Sequence, residues 1–115
     1  MRIWDIPPKC LCRQHLLGEH RELHAIWKIL IENKVGYSKH PETIRWKGKL
    51  RALYLRHEQL VVEMTKRGYK HNSKLDKKYA KGKAIQNYFL DKPNKQKVIL
   101  KNKPCPCFNH TTKQK

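Results

Sequence analysis

Acid is what this chain lacks most. Its 115 residues hold 9 Asp+Glu against 27 Lys+Arg, a formal net charge of +18, and such an imbalance repels itself in a compact state unless a polyanion neutralises it. Nucleic acid is the leading partner, because each Lys or Arg set against a phosphate releases condensed counterions; an anionic membrane surface is the weaker alternative. Long apolar runs are missing too. None approaches the roughly 18 residues of a spanning helix, and the opening MRIWDIPPK breaks with Asp5 and two prolines the apolar stretch that a signal peptide needs. The expectation is a protein of the cytoplasm with no membrane partner. Strand alternation and internal repeats are also absent, which leaves an all-α fold class.

Cysteine is scarce and oddly spaced. Cys10/Cys12 and Cys105/Cys107 form two C-x-C pairs, where zinc sites ordinarily use a gap of two to four residues. Four gathered thiolates could hold zinc, but reduced thiols on two neighbouring termini is the favoured reading, and a disulfide framework fits poorly without an export signal. No metal and no small-molecule cofactor is expected.

What is present is helical periodicity. Leu16, Leu23, Ile26, Trp27 and Leu30 recur at helical spacing, which predicts an amphipathic helix over about 13–32. Gln14, Gly18, Arg21, Ala25 and Lys28 line its opposite flank, Glu22 falls on the border beside His15 and Glu19, and His20 and His24 lean to the apolar side as packing residues. Ahead of this helix, Pro7-Pro8 makes residues 1–12 an extended arm. A polar connection runs from Lys34 to about Lys47, with a short helical turn opened by Pro41 after His40. Leu50, Leu53, Tyr54, His57, Leu60, Val61 and Met64 form the stripe of a second helix over about 49–67, with Gly68 at its left-handed C-cap. Residues 70–92 read either as a short helix interrupted near Gly82 or as an ordered loop. Asp91 and Pro93 start a third helix through Gln96, Val98, Ile99 and Leu100, which Pro104 stops, and 104–115 is a basic tail. The whole, 1–115, is expected to be one compact domain of about three helices, monomeric, with the arm threading toward the functional site. Trp4, Tyr37 and Trp46 either stack on an unstacked base or cover the core.

The run QHLLGEHREL at 14–23, with MRI at the start and LVVEMTKRGY closing the second helix, resembles the pyrimidine-dimer DNA glycosylase/AP lyase family of the phage endonuclease V type over about residues 1–70. The resemblance implies a glycosylase-like domain that binds damaged double-stranded DNA, excises ultraviolet-induced pyrimidine dimers and nicks the resulting abasic site. It implies the α-amine of Met1 as nucleophile and Glu22 as acid/base partner, with DNA contacts at Arg2, Gln14, His15 and Arg21. Lys28, Lys66 and Arg67 extend that DNA-binding set. The pattern departs at Ala25, where the phage enzyme carries an arginine, and in the tail around Phe108. The residues themselves allow this chemistry, since an α-amine titrates near 7.7–8.0, far below lysine, and so keeps an appreciable neutral, nucleophilic fraction at physiological pH. A noncatalytic basic helical protein that binds double-stranded nucleic acid through phosphates is the alternative, in which Glu22 merely pairs with a neighbour such as Lys28 on a solvated face.

Overall fold

The computed structural model describes residues 3–32, 40–70 and 74–102. Among the described residues four helices form: α1 (Arg13–Glu32), the short α2 (Pro41–Arg45), α3 (Leu50–Lys66) and α4 (Pro93–Lys101), with 3-10 turns at Pro8–Cys10 and Lys77–Tyr79. Among the described residues no sheet forms, and one isolated bridge pairs Lys49 with Gly82. The all-α expectation holds. No helix among these residues is long and apolar enough to cross a membrane.

α1 and α3 pack against each other because each carries one apolar stripe. Leu16, Leu23, Ile26 and Trp27 from α1 meet Ala52, Leu53, Leu60 and Met64 from α3, and Leu100 of α4 joins them. α3 ends as expected of a left-handed cap. Gly68 takes φ 80°, its N–H donates to Thr65 O at 3.0 Å, and the N–H of Tyr69 reaches back to Met64 O at 2.9 Å, so orphan carbonyls of the last turn are satisfied. Pro41 opens α2, and His40 caps it by accepting from the Glu42 N–H at 3.2 Å.

Two expectations are refined by packing. The arm is not a loose strap over the core but part of it, since Ile3, Trp4, Ile6, Leu11 and Cys12 are all buried. Trp4 and Trp46 are core residues as well, which decides between the two roles open to them; Tyr37 lies outside the described residues. The described part of the ambiguous stretch after α3, residues 74–92, is a loop with one 3-10 turn. It serves as a cap: Lys81 O and Lys83 O accept the Arg51 and Ala52 N–H groups at 2.9 and 3.1 Å, donors at the start of α3 that Lys49 does not satisfy with its side chain. Gly82 is required there, because at φ +87° an added Cβ would lie 2.2 Å from Gly48 O.

Candidate active site

The site is built on three backbone amides at the start of the chain. Ile3 N–H donates to Glu42 Oε2 at 2.7 Å, Trp4 N–H to Glu19 Oε1 at 3.0 Å, and Asp5 N–H to Gln96 Oε1 at 2.7 Å. Consecutive donors in an irregular segment would otherwise be buried without partners. Here each is caught by a side chain from a different helix, two of them carboxylates, and bonds to charged acceptors contribute about 1.5–3 kcal/mol each.

Each acceptor is itself held. Glu42 and Asp5 converge on Arg45, whose side chain is almost fully buried: Nε donates to Glu42 Oε1 at 2.9 Å, and the guanidinium also reaches Asp5 Oδ1, Ile3 O and Tyr88 O at 3.0–3.1 Å. Its Cζ lies 4.8 Å from the Trp46 ring centroid. Burial disfavours the Arg45 cation, but the hydrogen bond to Glu42 and the charges of Asp5 and Glu42 outweigh it and hold its pKa above the ordinary value. Glu19, also buried, takes Arg56 Nε at 2.6 Å and NH2 at 3.1 Å. Burial raises the Glu19 pKa, with Arg56 and the Trp4 amide opposing it. Gln96 completes its own set by donating to Asp5 Oδ2 at 2.9 Å and Asp91 O at 2.8 Å.

Glu22 lies one helical turn beyond Glu19, so the two side chains leave neighbouring positions on α1 about 5–6 Å apart at Cβ. Their settings differ. Glu19 is 2% exposed and fully engaged, whereas Glu22 is half-buried, and no described residue hydrogen-bonds or ion-pairs with its carboxylate. The pairing with Lys28 offered by the alternative reading is not formed; Lys28 is exposed.

The expected DNA-contacting residues divide into groups. Gln14 and Arg21 are exposed and line one open groove of about 770 Å³ along α1 with Cys12, Arg13, Leu17 and Gly18. Lys66 is exposed at the end of α3. His15 turns inward, with Nδ1 3.2 Å from Cys12 Sγ and its ring edge-on to Trp4 at 5.8 Å. Arg67 is committed to the arm: its NH2 donates to Leu11 O at 2.7 Å and Pro8 O at 3.2 Å, while Nε bonds Glu63 at 2.8 Å. Met1, Arg2, Cys105 and Cys107 lie outside the described residues. Sequence reasoning missed Glu19, Glu42, Arg45, Arg56 and Gln96. One of them carried a visible signal, since Glu19 is a charge inside the otherwise apolar face of α1.

The family profile of pyrimidine dimer DNA glycosylases matches residues 1–77. The chain belongs to that family. No curated relative and no solved structure matches it. The matched region carries the arm, α1, α2 and α3, and with them the anchors of Ile3 and Trp4. The anchor of Asp5 comes from α4, beyond the matched region. As a member of a DNA glycosylase family, the chain has DNA as its substrate, consistent with its +18 charge.

Proposed function

We propose that this protein excises ultraviolet-induced pyrimidine dimers from double-stranded DNA and then cleaves the abasic strand, using the α-amine of Met1 as nucleophile and Glu22 as acid/base partner. One observation carries the reading most: the backbone just after the amino terminus is bonded to Glu19 on α1, one turn from the unengaged carboxylate of Glu22. Covalent geometry limits an amine two residues ahead of Ile3 to within about 7 Å of the Ile3 nitrogen. An anchor at residues 3–5 therefore keeps the nucleophile near α1 without a lysine side chain having to be ordered.

The neutral amine attacks C1′ of the damaged nucleotide, the glycosidic bond breaks with its electron pair leaving on the base, the amine loses one proton, and the sugar ring opens at C1′–O4′, with O4′ taking a proton and the nitrogen lone pair forming the C=N bond of the iminium. That cation acidifies C2′–H. Removal of this proton and departure of the 3′ phosphate complete β-elimination, and water returns the free amine. Glu22 stabilises the positive sugar and carries the protons. Gln14, Arg21, Lys28 and Lys66 contact phosphates, with the groove along α1 as the DNA-facing surface, and Arg2 joins them at the nucleophile.

Glu22→Gln tests the assignment, since it keeps volume and hydrogen bonding but removes the charge and the proton acceptor. Binding to dimer-containing duplex should be retained while strand cleavage falls by about 10²–10⁴-fold. Cleavage at the native rate would reduce Glu22 to a surface residue and favour a phosphate-binding protein without this chemistry.

A further inference from the structure

Outside the site just described, three histidines from two helices point their ring nitrogens at one spot. His20 and His24 stand four residues apart on α1, on one face, and His57 faces them from α3. His24 Nε2 lies 3.2 Å from His20 Nε2 and 3.1 Å from His57 Nε2, and one ligand atom from each residue lies within 4.8 Å of the others. His57 is 1% exposed; the other two are half-buried.

The tautomer of His57 is set by its outer partner. Glu58 Oε2 lies 2.8 Å from His57 Nδ1, and an ionised carboxylate can only accept, so Nδ1 carries the proton and a neutral His57 presents a bare Nε2 lone pair to the cluster. A histidine oriented by a carboxylate through its second nitrogen is how ligating imidazoles are commonly fixed. The spacing also fits. A tetrahedral ion with Zn–N bonds of about 2.0–2.1 Å separates its ligand nitrogens by about 3.3 Å; two of the three separations here, 3.1 and 3.2 Å, are close to that, and the third pair, His20 and His57, lies within 4.8 Å, so an ion would draw those two rings together.

We propose that His20, His24 and His57 bind one zinc-class divalent ion that ties α1 to α3, with Glu58 positioning His57 and water completing the coordination. Imidazole donors suit zinc, cobalt, nickel and copper rather than magnesium or calcium. The site is separate from the proposed base-excision chemistry, which uses no metal, and it neither supports nor needs that reading.

The full-length protein, stripped with chelator and desalted, is titrated with Co²⁺ and then with Zn²⁺. One equivalent of Co²⁺ should give a visible ligand-field spectrum without a thiolate charge-transfer band, Zn²⁺ should displace it, and Zn²⁺ in excess should raise Tm by several degrees, because an ion that binds only the folded state stabilises it. His24→Ala and His20→Gln, both at half-buried positions, should weaken binding at least about 100-fold, and Glu58→Gln, which alters only the outer partner, about 10–100-fold. Replacing the four cysteines by serine should leave the spectrum unchanged. No stoichiometric uptake by the folded protein, or uptake that survives the histidine variants and disappears with the cysteines, overturns the proposal.

Discussion

Residues 3–12 and residues 74–92 are both irregular apart from a single 3-10 turn, yet they are held in opposite ways. The first segment is core: Ile3, Trp4, Ile6, Leu11 and Cys12 are buried, and side-chain acceptors from 15, 39 and 91 residues away take its amides. The second contains no buried residue, leaves Ile85 and Tyr88 largely in solvent, and attaches to the start of α3 mainly through backbone hydrogen bonds. One segment is fixed in position by the fold; the other serves the fold as a cap. The difference teaches where this small basic protein spends its few acids. Three of its 9 Asp+Glu, Asp5, Glu19 and Glu42, hold the first residues in place.

The comparison breaks most sharply at Arg45. Arg45→Met should cost about 3–5 kcal/mol in denaturant unfolding, since it leaves the buried Glu42 and the half-buried Asp5 without their counter-charge, whereas Lys95→Ala, which removes the pair between the exposed Lys95 and the half-buried Asp91, should change stability by less than about 0.5 kcal/mol. Equal small effects would mean that the arm is not held by this network. Next in size is Gly82→Ala. A left-handed backbone costs an L-residue about 1–2 kcal/mol, and the collision with Gly48 O adds to it, so a loss of about 2 kcal/mol or more is expected; a neutral result would show that the loop does not cap α3.

Gly18→Ala sharpens the comparison at the smallest scale. Nothing lies within 4 Å of the added methyl, so the fold should gain roughly 0.5–1 kcal/mol from helix propensity. The same methyl stands in the groove between Gln14 and Arg21, and affinity for duplex DNA measured at fixed salt should fall. A stabilised variant that binds as tightly as the parent would move the DNA-facing surface away from this groove.

Local patterns in the sequence were enough for α1, α3 and α4, for the Pro41 turn and for the cap at Gly68, because each depends on residues within about one turn of one another. The arm's place in the core was not legible that way. Ile3 meets Glu42 and Asp5 meets Gln96 only after the helices have packed, and no periodicity within the arm reports it. Glu19 and Glu22 show the same limit inside one helix. Their spacing and chemistry look alike in sequence, but Arg56 of α3 and the Trp4 amide engage the first and leave the second open. His20 and His24 were read as packing residues for the same reason, as their convergence on His57 depends on how α3 lies against α1. Arg67 resembled a phosphate contact because its partners, the carbonyls of Pro8 and Leu11, lie more than 50 residues away.

The central proposal is that the α-amine of Met1 is the nucleophile that works with Glu22. Peptide mapping of the borohydride-trapped adduct on abasic DNA tests it directly, because reduction freezes the imine on whichever nitrogen formed it. The expected result is a sugar remnant on the α-amine of the peptide containing Met1 and Arg2, with trapping abolished when that amine is acetylated or when extra residues precede Met1. A remnant on a lysine side chain, with trapping at the native rate by the blocked protein, would contradict the account.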